Sequence, residues 1–332
     1  MFNYRWNLSD GYNVEGIEKH HKKVFTTFAC GGGSTMGYKL AGYDVIAAND
    51  IDPQMAKVYK ENHHPKHFFQ CGISELLIQE LPEELYDLDI LDGSPPCSTF
   101  SMAGVREKKW GSKHKFREGQ SEQILDDLFF QFIKLVDKLK PRIVVAENVK
   151  GLLAGNAKGY VLEIKKQLED IGYDVQIFML NAATMGVPQK RERIFFICKR
   201  KELGLPLIDL EFSENLIPFR NISDNNDILD DLTPLYIKYW NEAEMSGPIG
   251  KFKSNKKLHP LKVANTVTSS GEGLHYYKYK RKVNLNELSL IGSFPGDYNY
   301  LDISPKYLIG MSVPPIMMAQ IANQIYKQWL KI

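Results

Sequence analysis

Apolar and polar positions from residue 24 onward alternate between short apolar runs and longer segments with helical spacing. The apolar run VFTTFA ends at the small residues CGGGS, and a helix-like segment and a second strand-like run, YDVIAAND, follow. Strands that alternate with helices in this way predict an α/β fold with a doubly wound, mainly parallel sheet. The same patterns predict helices at PQMAKVYKENH and over residues 122–139, and further strands at HFFQ, LDILD, PRIVVAEN, YDVQIFML and RIFFIC.

The charge pattern changes near residue 201. Residues 201–231 carry eight Asp or Glu against two basic residues, whereas residues 251–282 carry nine Lys or Arg against one acid and include four aromatic residues. Basic side chains with interleaved aromatics are typical of contact with nucleic-acid phosphates and bases, although a solvated, lysine-rich face would have the same composition. A last helix, packed on the main lobe, is predicted by apolar residues at every fourth position: Met317, Ile321, Ile325 and Trp329.

Composition limits the class of protein. The chain has 332 residues, of which 43% are hydrophobic and 25% charged, and its net charge is +2, so a basic surface can only be local. Its four cysteines are dispersed without zinc-ligand spacing, which predicts reduced thiols and no metal site. Neither a signal peptide nor an apolar run of roughly 18 residues is present. We therefore expect a soluble, cytoplasmic protein with no membrane contact.

The CGGGS stretch lies between a predicted strand and a predicted helix, where glycine lets the backbone approach a ligand closely. Asp50 ends the next predicted strand, about 20 residues further on, where a carboxylate can bind ribose hydroxyls. This pair fits NAD, FAD or S-adenosylmethionine, and a tight structural turn would use the same residues. A hydride-transfer enzyme predicts a G-x-G-x-x-G loop, which CGGGSTMG does not match in register.

Cys97 follows the fourth predicted strand, at the usual place for ligands in an open α/β sheet. A small buried thiol is the commoner role for cysteine. Glu147 ends the next predicted strand, however, and Arg191 and Arg193 are alternate residues on an extended segment, so their side chains point to one side. A thiol, a carboxyl and two guanidiniums can therefore converge on one crevice, a set that a dehydrogenase does not explain.

Segments of the chain follow one another in the order of one known family. They are FACGGGSTMGYKLAGYDVIAANDID, SPPCSTFS, ENVKGLL, GVPQKRERIFFI, and RKVNLNELSLIGSFPGDY with YLIGMSVPP. In this order, over nearly all of residues 24–330, they resemble the C5-cytosine DNA methyltransferases of the prokaryotic and phage modification type. The resemblance implies a Rossmann-like, S-adenosylmethionine-dependent methyltransferase fold with a smaller target-recognition lobe.

The resemblance also implies a division of the chain and a set of catalytic roles. The expected parts are an N-terminal extension (1–23), a catalytic and cofactor-binding domain (24–200), a target-recognition domain (201–284) and a segment that returns to the catalytic domain (285–332). Cys97 would add to C6 of a flipped-out cytosine, Glu147 would contact N3 and the exocyclic amine, Arg193 would hold O2, and Arg191 would help to fix the geometry of Cys97 and Glu147.

Binding residues follow from the same resemblance. S-adenosylmethionine would contact Phe28, Gly31, Gly32, Gly33, Asp50, Ile51, Pro96, Leu128 and Ser312. The basic segment 102–120 matches a loop that family members close over DNA. The expected partner is double-stranded DNA, bound by a monomer and contacted by Ser101, Arg106, Lys109, Gln189, Lys251, Lys253, Lys256, Lys257, Tyr276, Lys278, Lys280 and Arg281.

Some positions depart from the family pattern. Ser98 follows the cysteine where glutamine is common, Gly72 stands where many members have an acid for the adenine, and Met311 replaces an asparagine. We still expect an active enzyme, of the kind that works beside a restriction endonuclease. Two alternatives remain: a methyltransferase for tRNA on the same fold, or a non-catalytic protein that binds cofactor and DNA.

Overall fold

The computed structural model describes residues 2–96, 113–114, 123–124, 127–153, 157–224, 233–250, 252–269 and 273–331, with side chains except at 113–114, 123–124, 157 and 252–254. Strands in these ranges form a seven-stranded sheet, a three-stranded sheet and a two-stranded pair. In chain order they are β1 (Lys23–Thr27), β2 (Asp44–Asn49), β3 (His67–Phe69), β4 (Ile90–Gly93), β5 (Lys113–His114), β6 (Gln123–Ile124), β7 (Ile143–Val149), β8 (Tyr173–Asn181), β9 (Glu192–Arg200), β10 (Pro248–Ile249), β11 (Phe252–Lys257) and β12 (Leu274–His275).

The central sheet has the strand order β3-β2-β1-β4-β7-β9-β8. Strands β3, β2, β1, β4 and β7 run parallel, and β9 is antiparallel to both of its neighbours. The predicted mainly parallel α/β sheet is confirmed. Because β1 lies between β2 and β4, the direction of winding reverses there, and open α/β sheets commonly bind ligands at the carboxyl ends of strands beside such a reversal.

Helices cover both faces of the sheet. α2 begins where the Asp52 side chain accepts a hydrogen bond from the N–H of Gln54 at 2.8 Å. The helix predicted over 122–139 begins later, at Leu128, and residues 123–124 of that range form the short strand β6 instead. The helices are α1 (Gly33–Leu40), α2 (Pro53–His63), α3 (Ile73–Ile78), α4 (Leu128–Leu139), α5 (Ala157–Asp170), α6 (Pro234–Glu242), α7 (Leu285–Ile291), α8 (Pro305–Met311) and α9 (Pro315–Ile325).

Alternate residues of the strands enter two separate cores. Phe25, Leu91 and Val144 pack against α3, α4 and α5, whereas Val24 and Ile90 pack on the opposite face against α1 and α9. Each core therefore covers one face of the sheet, as a doubly wound fold requires. The predicted last helix is confirmed, because its four apolar residues at every fourth position are fully buried.

A third core joins part of the segment predicted as a separate domain (residues 201–284, here the second lobe) to the rest of the molecule, whereas Ile208 and Leu210 of that segment pack in the core beside α1 and α9. Phe219 and Tyr276 of this lobe pack with Ile291, Phe294 and Leu308 around α7 and α8. The three-stranded sheet, in the order β10-β11-β12, lies in the same lobe. The second lobe and the segment that carries α7 and α8 therefore share packed side chains. Within the described residues, no helix has the length and apolar content needed to cross a lipid bilayer.

Candidate active site

The predicted site lies at the edge of the sheet where β1, β2, β4 and β7 end. After β4, the chain leaves the sheet in a short segment without regular secondary structure, residues 94–96, which we call the proline turn, and Cys97 directly follows it. Asn148 in β7 is 3% exposed and donates a hydrogen bond from Nδ2 to the carbonyl oxygen of Pro95 at 3.1 Å. The turn before the cysteine is therefore tied to the neighbouring strand. Sequence reasoning missed Asn148, although it stands directly after Glu147.

Some predicted residues cannot be placed. Cys97 lies outside the described residues, as do Ser98, Ser101, Arg106, Lys109 and Lys251, and the side chain of Lys253 is likewise not described. The roles implied for them stay predictions.

Glu147 and Arg193 form an ion pair at the predicted site. Nε of Arg193 lies 2.9 Å from Oε1 of Glu147, and both side chains are nearly buried, at 14% and 11% exposure. Burial lowers the pKa of the Arg193 guanidinium, and the carboxylate of Glu147 opposes that shift. Because β7 and β9 pair antiparallel, with Val149 opposite Arg193, the sheet register brings the two charges together. The structure therefore brings together Glu147 and Arg193, and their convergence with the Cys97 thiol stays a prediction.

Arg191 joins three parts of the chain. Its Nη1 donates to the carbonyl oxygen of Val267 at 3.2 Å, and its Nη2 donates to that of Gly310 at 3.0 Å. The residue is 2% exposed, and its Nε is buried without a hydrogen-bond partner among the described residues. Burial, followed by the positive charge of Arg193, lowers the pKa of Arg191. Arg191 therefore ties the second lobe and α8 to the strand that carries Arg193.

The glycine loop (residues 30–33) is bound to the end of β2 by Asp50. Oδ2 of Asp50 accepts a hydrogen bond from the N–H of Cys30 at 2.7 Å, and Oδ1 accepts one from the N–H of Asp52 at 2.9 Å. The predicted cofactor acid and the loop are thus neighbours. The carboxylate therefore holds the loop backbone in place.

The glycines of this loop are required by contacts within the protein. A Cβ at Gly31 would lie 2.5 Å from Cδ2 of Leu308, and a Cβ at Gly33 would overlap the carbonyl oxygen of Val313. Gly32, with φ +82, would place a Cβ on the imidazole of His63. Sequence reasoning ascribed these glycines to close approach of a ligand. The structure adds a different reason, because their Cα faces are packed against α2 and the returning segment.

The remaining predicted cofactor residues are spread around the same edge. Oγ of Ser312 donates to the carbonyl oxygen of Leu308 at 2.8 Å and lies 3.8 Å from the sulfur of Cys30. Leu128 is buried at the start of α4, in the core that also contacts Phe28. Ser312 thus contacts the glycine loop directly, whereas Leu128 only shares a hydrophobic core with Phe28, which precedes the loop. Two further predicted residues, Ile51 and Pro96, are partly exposed.

The structure shows what surrounds Gly72 and Met311, two positions at which the sequence differs from the family pattern. Gly72 precedes α3, its N–H donates to Oε1 of Glu75 at 3.2 Å, and its Cα face lies beside Ile51. A carboxylate is therefore present one helical turn after the position where the family has its acid. Met311 ends α8 and is 41% exposed.

Asp92 is a buried acid at the site that sequence reasoning missed. It is 1% exposed on β4, and Oδ1 accepts a hydrogen bond from the hydroxyl of Tyr38 at 3.2 Å. Burial raises the pKa of Asp92 to about 8, Tyr38 and Ser34 oppose the rise, and the charge of Glu147 adds to it. The carboxyl is therefore mostly protonated at neutral pH. The sequence feature that could have identified Asp92 is an acidic residue within the apolar run ILDG.

Two residues predicted to contact DNA have their polar groups bonded inside the protein. Gln189 is fully buried, its Nε2 donates to the carbonyl oxygen of Ile291 at 3.1 Å, and its Oε1 accepts from the N–H of Val267 at 3.0 Å. Nζ of Lys257 donates to the carbonyl oxygen of Trp240 at 3.2 Å and lies 3.8 Å from the centre of the Trp240 ring. Burial lowers the pKa of this lysine.

Tyr276 and Arg281 are also buried. The guanidinium of Arg281 lies 4.0 Å from the centre of the Tyr276 ring, and its Nη1 and Nη2 donate to Glu287 at 2.7 and 2.9 Å. A bidentate pair of this kind fixes both side chains. For Gln189, Lys257, Tyr276 and Arg281 the prediction of direct DNA contact is therefore corrected, because these side chains are packed within the protein.

Three other basic residues predicted to contact DNA are accessible. Lys278 is exposed, with its ammonium 4.7 Å from the centre of the Tyr279 ring, and Lys256 and Lys280 are partly exposed. They stay predicted DNA contacts. Among the described residues, no cluster of three or more His, Cys, Asp or Glu could hold a metal ion.

Comparison with known proteins agrees with this geometry. A family model for C-5 cytosine-specific DNA methylases matches residues 23–234. The Type II methyltransferase M.NgoPII of Neisseria gonorrhoeae is 24% identical over 346 residues, which cover 92% of this chain and 95% of the relative. The structure of a proposed DNA modification methyltransferase from a prophage (E. coli) matches with a TM-score of 0.71 and 19% identity, over 92% of this chain and 99% of that one. A DNMT2 structure from Spodoptera frugiperda matches with a TM-score of 0.65 and 18% identity, over 92% and 99%.

Proposed function

Because this chain belongs to the C-5 cytosine-specific DNA methylases, we propose that it transfers a methyl group from S-adenosylmethionine to C5 of a cytosine in a short duplex DNA sequence. One observation carries the proposal. The Glu147–Arg193 ion pair lies at the carboxyl edge of the sheet, on the strand next to the proline turn that leads into Cys97. A carboxyl from β7 thus pairs with a guanidinium from β9, and β7 also holds the segment that leads into Cys97.

The glycine loop and Asp50 fit S-adenosylmethionine. The N–H of Cys30 holds the Asp50 carboxylate against the loop, so a group suited to ribose hydroxyls lies where β1 and β2 end. Ser312 closes the same region from the returning segment. When bound, S-adenosylmethionine supplies an activated methyl group.

The protein's side chains account for the activation of cytosine. C5 is a poor nucleophile, so the Cys97 thiolate first forms a bond to C6 while the C5–C6 double bond opens and electron density moves to C5. Glu147 contacts N3 and the exocyclic amine and Arg193 holds O2, which stabilises the ring as charge develops. After C5 has gained the methyl group, a base removes the C5 proton, the double bond re-forms and the Cys97 thiolate leaves.

The target base must leave the duplex for this chemistry. C6 is inaccessible to a thiol while the base is stacked, so the cytosine is flipped out at a cost of a few kcal/mol. The exposed Lys278 and the partly exposed Lys256 and Lys280 supply positive charge for the DNA backbone from the second lobe.

Transfer of tritium from labelled S-adenosylmethionine tests the proposal. The purified protein is incubated with mixed-sequence duplex DNA or with tRNA, beside a Cys97→Ala control, and bisulfite sequencing maps the product. We expect label in DNA alone, at one short motif, and none with the control. Label in tRNA alone would establish the RNA alternative, and cofactor binding without transfer to either would indicate a non-catalytic binding protein.

A role in restriction–modification is the finer part of the proposal. It is supported by M.NgoPII and M1.HphI, both named Type II methyltransferases, which match over 92% and 90% of this chain. Once the methylated motif is known, plasmid modified by the protein should resist an endonuclease that cuts that motif, whereas plasmid treated with Cys97→Ala should be cut.

A further inference from the structure

Two side chains, His63 and Tyr298, bind one carbonyl oxygen of the glycine loop, and a third, Tyr12, bonds to His63. Nε2 of His63 lies 3.0 Å from the carbonyl oxygen of Gly31, and the hydroxyl of Tyr298 donates to the same oxygen at 2.6 Å. On the other side of the imidazole, the hydroxyl of Tyr12 lies 3.4 Å from Nδ1. The N-terminal segment (residues 2–22), the last residue of α2 and the chain before α8 thus meet at Gly31.

The direction of each hydrogen bond follows from its partners. A carbonyl oxygen can only accept, so Nε2 of His63 carries the proton. Burial lowers the pKa of His63 to about 3, and the ring is therefore neutral with Nδ1 as an acceptor. The Tyr12 hydroxyl then donates to Nδ1. Both His63 and Tyr298 are 5% exposed, so water does not readily replace these bonds.

Gly32 is what allows His63 to reach the loop. Its φ of +82 lies in the left-handed region, and a Cβ at this position would overlap the imidazole ring of His63. The glycine and the histidine are therefore a matched pair: the missing side chain leaves the space that the ring fills.

The N-terminal segment is anchored close to Tyr298. The indole N–H of Trp6 donates to the carbonyl oxygen of Ser293 at 3.0 Å. The carboxylate of Asp297 accepts hydrogen bonds from the N–H groups of Leu8 and Ser9 at 2.6 and 2.9 Å. These bonds hold the segment against the chain that follows α7.

We propose that Tyr12, His63 and Tyr298 are positioning residues that preorganise the glycine loop for S-adenosylmethionine, so that the N-terminal segment is a working part of the cofactor site. The inference rests on the proposed function, because it takes that cofactor as the ligand of the loop. A loop that must be ordered on binding loses affinity, whereas the chemical step in the saturated complex is unchanged.

Single-atom and conservative variants separate positioning from folding. Tyr12→Phe and Tyr298→Phe each remove one hydroxyl, His63→Leu removes both ring nitrogens, and His63→Gln keeps a donor near the place of Nε2. The matched control is Tyr173→Phe, which removes a buried hydroxyl that donates to the carbonyl oxygen of Pro141 at 2.7 Å, at the opposite end of the sheet.

Calorimetric titration with S-adenosylmethionine gives the first readout. We expect the Kd to rise about 2- to 10-fold for Tyr12→Phe and for Tyr298→Phe, the range that loss of one hydrogen bond produces. His63→Leu should weaken binding further, and His63→Gln should restore most of it. At saturating cofactor, kcat should stay within about twofold of the unmodified protein. Amide hydrogen exchange of residues 29–33 should become faster in Tyr12→Phe, Tyr298→Phe and His63→Leu, and should stay unchanged in Tyr173→Phe.

Opposite results have distinct meanings. If Tyr12→Phe and Tyr298→Phe lose thermal stability as Tyr173→Phe does but keep the unmodified Kd and loop exchange, the bonds are only structural and the inference fails. If the unmodified protein binds no S-adenosylmethionine, the proposed function fails. In that case, amide hydrogen exchange of residues 29–33 in the variants still tests whether Tyr12, His63 and Tyr298 hold the loop.

Discussion

Replacing Asp92 with asparagine should make the protein more stable at neutral pH. The carboxyl is buried on β4 and accepts a hydrogen bond from Tyr38 at 3.2 Å. Asparagine has the same shape, keeps an oxygen acceptor for Tyr38 and has no charged form. The variant therefore removes the cost of holding an ionisable acid in the core and little else.

The magnitude follows from the pKa of Asp92, which burial raises from 3.8 to about 8. Because the folded value lies above the unfolded one, the folded state binds the proton more tightly. The resulting stability is fully present below about pH 4 and is lost as the pH rises through about 8. Roughly three pH units separate the unfolded pKa of 3.8 from pH 7. At about 1.4 kcal/mol per unit, the folded state is therefore about 4 kcal/mol less stable at pH 7 than with a neutral side chain. The amide N–H groups that the substitution introduces are buried and need hydrogen-bond partners, which lowers the expected gain in stability by about 1–2 kcal/mol.

Urea unfolding at pH 5, 6, 7 and 8 tests this reasoning. Asp92→Asn should match the unmodified protein at pH 5 and exceed its free energy of unfolding by about 2 kcal/mol at pH 7, and by more at pH 8. Asp302→Asn is the control, because that side chain is 98% exposed and should show no such trend. A difference between Asp92→Asn and the unmodified protein that stays constant from pH 5 to pH 8 would refute the argument.

Two further predictions concern packing and the proline turn. Gly37→Ala should cost about 1–3 kcal/mol in thermal unfolding, because its Cβ would lie 2.5 Å from Cβ of Met318 in α9. Gly159→Ala, in α5 with open space around it, should instead stabilise by about 0.5–1 kcal/mol; equal effects would contradict the packing argument. Asn148→Ala loses the bond to the carbonyl oxygen of Pro95 and should lower kcat about 10- to 100-fold with the cofactor Kd unchanged. Radiometric assays and calorimetry check both values, and an unchanged kcat would show that the turn is held by other contacts.

The sequence by itself determined the sheet and the identity of its functional edge. Apolar, β-branched runs such as VFTTFA and RIFFIC can be buried on both faces only as strands within a covered sheet, and they became β1 and β9. Charged or polar residues at the ends of such runs then mark the crevice, which is how Asp50, Glu147 and Arg193 were found. The structure brings two of these residues, Glu147 and Arg193, into contact.

Only the tertiary structure decided which side chains are buried and what they bind. Lys257 and Arg281 belong to a basic, aromatic stretch that is typical of DNA contact, yet Trp240 and Glu287, which lie outside that stretch, hold them inside the protein. His63 is one histidine among several in the sequence, and it gains a role only where Gly32 leaves space for it. The physical reason is that local spacing reports periodicity, whereas burial, hydrogen-bond partners and pKa depend on groups brought together from distant parts of the chain.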